Sequence, residues 1–586
     1  IEIHNIETML FTRMIFSCLV DADYSVSALD ENPQYLQETE RMQFEGQLWL
    51  EKLLAYQREI FTQSNSEPFL NQIRNELFEQ CGKMGDCGEG LFTLTAPTGT
   101  GKTLSLLHFA LRHCLKTGKR RIIVVLPFLT LAEQNTDTYA KIIPDIVIDH
   151  SQSRLSEENK EFASRWSVPF IITTSVKFFE SLFADRPTDC RKLHHIADSV
   201  VIFDEAQSLP TEVTETTLEA VNELCRTYHC TMVFSSATQP DFDAIPNVDW
   251  KPREIMPDNP RLFAALKRTH VEWRLKKPIS LEEIAGEMAA LPSVCAIVNL
   301  RKHARKLFCK LKELCAEDEL FFITTDLCMA HRRIVVEEIT RRIKAKLPCR
   351  VVATQCIEAG VDLDFHVMYR ALAPLDSIIQ AAGRCNRNGR LEGGGRVIVF
   401  EPEEEGCLYP GSSSSELGNW YERAAVLVKR LCAEHPLDID NPDHMKEYYQ
   451  QLFAGQADKA SLRRALERED FAETEKEYEL IADKGLKVIV PIPREVSAEE
   501  CEKFKEIRKE AVSGITPSRM REWASLTVTV PAYQQEELEY YMEWLPFAGK
   551  DREQSRYYVL RRQYEKYYTW DMGLQLPQEI AGGGDW

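Results

Sequence analysis

Short apolar runs separated by helix-forming stretches recur along residues 69–260 of the chain. The runs are Leu91–Leu94, Arg121–Leu126, Pro169–Thr173, Ser199–Phe203 and Thr231–Ser235. Each has the length of a strand buried on both faces, and Leu104–Cys114 between the first two has helical spacing. Strands joined by helical crossovers form a parallel sheet, in which ligands bind beyond the carboxyl ends of the strands. We therefore predict a parallel-sheet lobe with a ligand site at that edge.

The same alternation returns over residues 290–405, which predicts a second parallel-sheet lobe and an α/β fold class. Its predicted strands are Ser293–Asn299, Leu320–Thr325, Cys349–Thr354, His366–Arg370 and Arg396–Phe400. Before the lobes, Phe11–Asp23 predicts an amphipathic helix. After them, strand patterns at Lys487–Val490 and Ser525–Val530 around the helical Ala498–Ala511 predict a small α+β domain. The predicted boundaries are 1–62, 63–265, 266–405, 406–489 and 490–586.

The amino-acid composition limits the cellular compartment and the kinds of partner that we expect for this chain. The 17 cysteines are odd in number and form no C-x-x-C, which favours a reducing cytoplasm over disulfides or a zinc site. No run of 18 apolar residues occurs, so we expect no contact with membrane. The net charge of −20 is unusual for a protein that grips many phosphates. Residues 401–500 hold 23 acidic and 12 basic side chains, which leaves room for a local basic groove elsewhere.

The stretch Thr95–Thr103 lies between the first apolar run and the helical segment, as a phosphate-binding loop requires. Loop amides and the helix N-terminus would face the phosphates, while Lys102 would contact the β and γ phosphates and Thr103 the Mg²⁺ ion. Ala96 replaces the first glycine of the usual pattern. The predicted nucleotide-binding residues are Ala96, Thr98, Gly99, Thr100, Gly101, Lys102 and Thr103.

Hydrolysis needs further groups. Asp204 and Glu205 end an apolar strand about a hundred residues later, so Asp204 is predicted to hold Mg²⁺ and Glu205 to activate water. In the second lobe, Arg384 and Arg387 have helical i, i+3 spacing, which predicts that both project from one face toward the γ-phosphate. Gly360–Asp364, a turn with carboxylates, is suited to sensing the nucleotide, through Gly360 and Asp362.

Together these motifs resemble the superfamily 2 helicases over residues 70–400. The matching stretches are Ala96–Thr103, Pro127–Gln134, Asp204–Gln207, Ser236–Thr238, Thr354–Asp364 and Gln380–Arg387. The resemblance implies two tandem RecA-like lobes that use ATP and Mg²⁺, with Gln72 reading adenine. It implies coupling of hydrolysis to strand movement by Gln207, Ser236, Thr238 and Gln380. It also implies a nucleic-acid track lined by Pro127, Thr130, Thr173, Thr174, Asn299 and Thr354.

A closer resemblance is to the CRISPR-associated helicase-nuclease of type I interference. It is carried by Trp166–Leu182, Val201–Gln207, Gln380–Gly389 and Phe16–Asp23. It implies 3′-to-5′ movement on single-stranded DNA, antiviral defence and recruitment by a surveillance complex guided by CRISPR RNA. Phe16–Asp23 resembles the last helix of that family's histidine-aspartate nuclease domain, in which Asp23, or second Asp21, would bind a divalent transition metal.

The chain departs from this family where the nuclease is concerned. It contains no His-Asp dipeptide, and His4 is the one histidine before His108. We therefore expect no complete nuclease site, with the rest of that domain either upstream of this chain, as the first residue Ile1 favours, or supplied separately. Two other interpretations stay open: an RNA helicase of the same superfamily, and an ATP-gated clamp or scaffold that closes on nucleic acid without unwinding it.

Overall fold

The computed structural model divides the chain into two compact units. The first comprises Ile1–Lys267 and Ile439–Ala482, and the second Arg268–Asp438 and Asp483–Trp586. The structure describes residues 6–31, 43–63, 68–127, 135–149, 162–209, 211–358, 361, 363–389, 391, 393–411, 419–454, 457–478, 485–494, 496–531, 538–548 and 555–577. The predicted division into five parts stays a prediction.

The first unit is built on a seven-stranded sheet in the order β3-β4-β2-β5-β6-β1-β7, with every pairing parallel. Its strands are β1 (Leu91–Thr95), β2 (Ile122–Leu126), β3 (Val147–Asp149), β4 (Phe170–Thr174), β5 (Val200–Asp204), β6 (Thr231–Ser236) and β7 (Arg253–Glu254). The residues of β1, β2, β4 and β6 are buried throughout, as expected of a sheet covered on both faces. The strand order brings the carboxyl ends of β1, β5 and β6 together.

Helices cover this sheet, including three from far along the chain. The helices of the first unit are Ile6–Glu31, Gly46–Gln63, Pro68–Gly85, Lys102–Thr117, Ser175–Phe183, Pro187–Cys190, Thr214–Arg226, Asn259–Ala265, Pro442–Phe453, Ala460–Glu467 and Phe471–Glu477. The later segment is held by specific contacts. The Asp458 carboxylate accepts hydrogen bonds from the amides of Glu215 (3.0 Å) and Thr216 (2.7 Å), and the hydroxyls of Tyr478 and Thr217 lie 2.5 Å apart. Asp458 thereby caps the helix Thr214–Arg226, which no side chain of its own N-cap residue caps.

The N-terminal helix Ile6–Glu31 packs on the first unit through a buried face that carries both apolar and polar side chains. The Asp21 carboxylate pairs with Arg165 (2.9 Å) and Arg191 (2.7 Å), and the Ser17 hydroxyl lies 2.9 Å from His194 Nδ1. The opposite face carries exposed apolar side chains, with Phe11 at 56%, Ile15 at 55% and Leu19 at 66% exposure. Apolar residues on both faces are typical of a helix that is covered on both sides.

The second unit contains a six-stranded parallel sheet in the order β10-β11-β9-β12-β13-β8. Its strands are β8 (Thr269–Ile279), β9 (Ser293–Ile297), β10 (Leu320–Ile323), β11 (Cys349–Ala353), β12 (Val367–Ala371) and β13 (Gly395–Pro402), and its helices are Leu281–Ala289, Arg301–Lys312, Met329–Lys344, Leu375–Ala382 and Trp420–Glu434. Two parallel-sheet lobes confirm the predicted α/β class. Strand β8 was not predicted, because it is an edge strand whose charged, exposed side chains carry no apolar run.

The C-terminal part of the second unit is a small α+β domain. Its four-stranded sheet has the order β15-β14-β17-β16. The strands are β14 (Gly485–Ile489), β15 (Thr527–Pro531), β16 (Met542–Trp544) and β17 (Tyr557–Leu560), followed by the pair β18 (Tyr568–Thr569) and β19 (Gly573–Leu574). The helices Ala498–Glu510 and Pro517–Trp523 pack against it. Among the helices in the described ranges, none is long and apolar enough to cross a membrane.

Candidate nucleotide site

The loop after β1 has the geometry of an anion-binding loop. Gly99 and Gly101 both have φ of 81°, in the left-handed region that favours glycine. Gly101 is the N-cap of the helix Lys102–Thr117 and has no side chain to accept from the first helical amides. Those amides, and the positive end of the helix dipole, therefore stay available to a phosphate group.

Side chains hold this loop in shape. Lys102 Nζ donates to the carbonyl of Ala96 (3.1 Å), so its ammonium group lies across the loop. The buried Thr100 hydroxyl donates to the carbonyl of Pro97 (2.8 Å). Thr98 and Thr103 are half-buried at the rim. Ala96 is buried and its amide donates to the carbonyl of Ser236 (3.1 Å), so the residue that departs from the usual pattern continues the sheet.

The two acidic residues predicted for metal and water lie at the end of β5. Burial, and then the negative charge of Glu205, raise the pKa of Asp204 to about 6 against the opposing charge of Lys102. Glu205 has φ 58° and ψ 54°, a backbone conformation that non-glycine residues rarely adopt. Such strain is found at functional sites more than elsewhere. The Asp204 carboxylate and the Thr103 hydroxyl are oxygen donors of the kind Mg²⁺ prefers, so these residues fit the ion.

A hydrogen-bonded chain leads from Glu205 into the sheet. Gln207 Nε2 donates to Glu205 Oε2 (2.7 Å), and the Ser236 hydroxyl donates to Gln207 Oε1 (2.5 Å). The Thr238 amide donates to the Ser236 hydroxyl (2.8 Å). The structure thus brings together Glu205, Gln207, Ser236 and Thr238, which lie on two neighbouring strand ends. A continuous path of hydrogen bonds therefore connects Glu205 with the loop after β6.

Two residues beside the phosphate loop were not found from the sequence. Arg74 Nε donates to the carbonyl of Gly99 (3.0 Å). The Glu254 carboxylate accepts from the Thr95 amide (3.1 Å) and hydroxyl (2.7 Å), just before the loop begins. The sequence could have pointed to Arg74 through its position, because it lies two residues from the exposed Gln72, which was predicted for the nucleotide site, on the helix Pro68–Gly85. No local pattern points to Glu254, which is 159 residues from Thr95.

The residues predicted for the nucleic-acid track of the first unit lie at the carboxyl ends of β2 and β4. Pro127 is half-buried directly after β2. The Thr173 hydroxyl is buried and donates to the carbonyl of Asp149 (2.8 Å). The Thr174 hydroxyl accepts from the Lys177 amide (3.2 Å) and caps the helix Ser175–Phe183. Thr130 lies outside the described residues.

Asn299 and Thr354, which were predicted for the same track, lie in the second unit. Both are buried. The Asn299 side chain donates to the carbonyl of Leu372 (2.8 Å) and accepts from Arg370 (2.7 Å). The Thr354 hydroxyl lies 3.6 Å from Cys356 Sγ. The role of Asn299 and Thr354 in a nucleic-acid track stays a prediction. Gly360 and Asp362 lie outside the described residues.

The expectation that Arg384 and Arg387 share one helical face is wrong. The helix Leu375–Ala382, which holds the half-buried Gln380, ends before them, and Asn386 has φ 47°. The turn is instead fastened by Asp364, which accepts from the amide of Arg387 (2.7 Å). Arg384 Nη2 donates to the carbonyl of Glu358 (2.7 Å). The two arginines therefore lie on a turn. The side chain of Arg384 is held by the carbonyl of Glu358, and the backbone of Arg387 is held by Asp364.

The assignment of Asp23, or second Asp21, to a nuclease metal stays a prediction, and the two side chains differ in their surroundings. Asp23 is exposed, whereas Asp21 is buried. Ligand atoms of Asp21, His194 and His195 lie within 4.8 Å of one another. However, both oxygens of Asp21 are engaged by guanidinium groups of Arg165 and Arg191. Two positive charges at that distance oppose a cation, so these residues do not fit a metal ion.

Two family models match the chain. The DEAD/DEAH box helicase model covers residues 79–245, and the model for the C-terminal part of the CRISPR-associated nuclease/helicase Cas3 covers residues 292–390. These matches agree with the two parallel-sheet lobes and the nucleotide loop, and they support the resemblance to superfamily 2 helicases.

Individual relatives point to a narrower group of proteins than the helicase model does. The CRISPR-associated nuclease/helicase Cas3 of Haloferax volcanii is 27% identical and covers 57% of this chain, which in turn covers 49% of that protein. The protein of the same name from Methanothermobacter thermautotrophicus is 24% identical, with 54% and 41% covered. The crystal structure of T. fusca Cas3 shares the fold with a TM-score of 0.60 at 17% identity, covering 82% of this chain and 67% of that one. The chain is therefore similar to Cas3 proteins in part of its sequence and in its fold, and it spans about half the length of the Haloferax relative.

Proposed function

We propose that the chain is an ATP-driven translocase that moves on single-stranded DNA and unwinds DNA in type I CRISPR interference. The observation that carries this proposal is the hydrogen-bonded chain Glu205–Gln207–Ser236–Thr238 beside a preformed phosphate loop. Such a connection gives hydrolysis at the phosphate loop a route to the loop after β6. The 3′-to-5′ direction rests on the family resemblance.

The residues of the first unit divide the work of hydrolysis. The loop amides and Lys102 bind and orient the phosphates, and Thr103 and Asp204 would hold Mg²⁺, which supplies positive charge to the phosphate oxygens when bound. Above pH 6 the Asp204 carboxyl is mostly ionised and ready for a cation. Glu205 accepts the proton of the attacking water. Because Glu205 also holds Gln207, a change at its carboxylate reaches Ser236 and Thr238.

Nuclease activity is proposed for a protein that also carries the rest of the nuclease domain. The relatives are named nuclease/helicases. The face of the first helix that carries Phe11, Ile15 and Leu19 is more apolar than a solvent-facing helix normally is. We infer that helices of that domain cover it. The transition metal would be bound by that domain, with Asp23 as the ligand predicted from this chain, because Asp21 is engaged by two guanidinium groups.

A CRISPR RNA-guided surveillance complex is the proposed partner. A chain in the structure of such a complex, captured before nicking, shares this fold with a TM-score of 0.53 at 17% identity. The acidic net charge of −20 supports delivery to DNA by a partner, since the overall field repels a polyanion. On its own the chain is expected to bind DNA weakly and with strong salt dependence.

The test is steady-state ATP hydrolysis with no nucleic acid, with single-stranded DNA and with single-stranded RNA, using Lys102→Ala as the blank. Strong stimulation by DNA and little by RNA is expected, followed by strand displacement on a duplex with a 3′ overhang. Stimulation by RNA alone would make the chain an RNA helicase. Stimulated hydrolysis without displacement would make it a clamp or scaffold, and hydrolysis unaffected by Lys102→Ala would refute the nucleotide site.

A further inference from the structure

Arg370, in β12, is a fully buried arginine at the centre of the second unit, with 0% exposure. A guanidinium group without solvent is strongly destabilising unless its charge and its N–H groups are matched. Its Nη1 donates to Asn299 Oδ1 (2.7 Å) and its Nη2 to the Tyr421 hydroxyl (3.0 Å). The Glu358 carboxylate lies 2.8 Å from Nη2 and supplies the balancing charge. Burial is the largest influence and lowers the pKa of Arg370, but the charges and hydrogen bonds of Glu358 and Tyr421 together outweigh it, so the net change is upward.

The partners come from segments far apart in the sequence. Asn299 follows β9, Glu358 follows the turn Gln355–Ile357 after β11, and Tyr421 is in the first turn of the helix Trp420–Glu434. They also bond to each other, because the Tyr421 hydroxyl donates to Asn299 Oδ1 (2.9 Å). Arg370 thus joins the ends of three strands and one helix.

Glu358 connects this cluster to the turn that carries Arg384 and Arg387, which we call the arginine turn. Its carboxylate faces Arg370, while its backbone carbonyl accepts from Arg384 Nη2 (2.7 Å). Arg370 therefore holds the carboxylate of Glu358, and the backbone carbonyl of the same residue holds the side chain of Arg384. Neither Arg370 nor Tyr421 belongs to a motif that the helicase resemblance assigned a role.

We propose that Arg370 is a positioning residue for turnover, which places Arg384 by holding Glu358. The proposal rests on the proposed ATP hydrolysis and on the sequence-based prediction that Arg384 acts on the γ-phosphate. Arg370 is fully buried, so it would act through Glu358 and Arg384. Its loss should lower kcat and leave the KM for ATP nearly unchanged, because the phosphate loop that binds ATP belongs to the first unit.

The main variant is Arg370→Met with Glu358→Gln, which removes both charges so that neither is left buried and alone. We expect kcat to fall by roughly 10- to 100-fold, the range found when a reacting group is misplaced by an ångström, with KM changed by less than about threefold. Arg370→Lys keeps the charge but cannot bond Glu358, Asn299 and Tyr421 together, so its kcat should lie between wild type and the double variant.

A matched control exists in the same lobe. Arg350 is also buried and bonds Glu319 (2.5 Å) and the carbonyl of Ala289 (2.9 Å), at the opposite end of β11 from Glu358. Arg350→Met with Glu319→Gln removes a comparable ion pair without touching the Glu358 connection. The loss of this ion pair should destabilise the fold to a similar degree, but the kcat of this control should match wild type within about twofold.

Amide hydrogen exchange gives a readout that does not depend on activity. In the Arg370 double variant, peptides spanning 351–358 and 379–389 should exchange about tenfold faster, and in the Arg350 control they should not. Unchanged exchange at 379–389, or an unchanged kcat despite faster exchange, would overturn the proposal. If the wild type lacked ATPase activity, the proposed function would fail, and the exchange result would still decide whether Arg370 positions the arginine turn.

Discussion

Asp204→Asn should stabilise the first unit while abolishing ATP hydrolysis. The carboxyl group of Asp204 has a pKa of about 6 in the folded protein and 3.8 without the protein environment, because burial and Glu205 disfavour its charge. A folded-state pKa above the unfolded value means that the folded state is favoured below pH 3.8 and loses that stability as the pH rises through 6. At pH 8 the full penalty applies.

The size of the penalty follows from the two pKa values. Their difference of about 2 corresponds to about 3 kcal/mol. The side chain is partly open to solvent, and the new amide must find hydrogen-bond partners, so we expect Asn to gain about 2 kcal/mol at pH 8. For a unit of this size that gain raises the unfolding midpoint by about 4 °C.

Thermal unfolding of wild type and Asp204→Asn is measured at pH 8 and pH 4, without nucleotide, with the exposed Asp145→Asn as the control. The gain should be present at pH 8, nearly vanish at pH 4 and be absent in the control at both. Added MgATP should stabilise the wild type more than the variant. A variant that is less stable than wild type at pH 8, or a gain that does not change with pH, would refute the account of this carboxylate.

Three further predictions concern single steps. Arg387→Ala should lower turnover by about 100-fold and leave ATP binding within about threefold, as measured by turnover and nucleotide titration, while a pure binding defect would exclude a role in the reaction. Gln207→Ala should keep at least about a tenth of basal hydrolysis but lose most of the stimulation by DNA, and full stimulation would show that the Glu205–Ser236 connection carries no coupling. Metal-dependent cutting of DNA by this chain should be absent in Mn²⁺ or Co²⁺, and robust nicking would mean that a nuclease site has been misplaced.

Most of the fold could be predicted because parallel strands are continuous apolar runs. Val201–Phe203 and Val397–Phe400 are buried on both faces, so each can be recognised as a strand from its own residues alone. Strand β8 could not be predicted, because an edge strand is defined by its hydrogen bonds to the neighbouring strand and not by an apolar run of its own. The membership of Ile439–Ala482 in the first unit depends on contacts such as Asp458 with Thr216, which no local pattern reports.

The candidate site could be predicted where one loop contains it. Gly99, Gly101 and Lys102 act through local backbone geometry, so their spacing is informative. The arginine turn could not be predicted, since helical spacing continued past Ala382 in the sequence while Asp364 fastened a turn in the structure. The choice between Asp21 and Asp23 required burial, which two acids two residues apart do not reveal.

The discontinuous first unit has a consequence for synthesis on the ribosome. Its sheet is complete by residue 267, but the segment that caps the helix Thr214–Arg226 and covers Thr217 ends only at residue 482. At about 5–20 residues per second, the nascent chain spends roughly 10–40 s with that surface uncovered. A truncated product that stops before Ile439 would keep the phosphate loop yet leave this surface bare. Such fragments should be captured by chaperones or degraded, so that only chains containing both parts of the first unit persist.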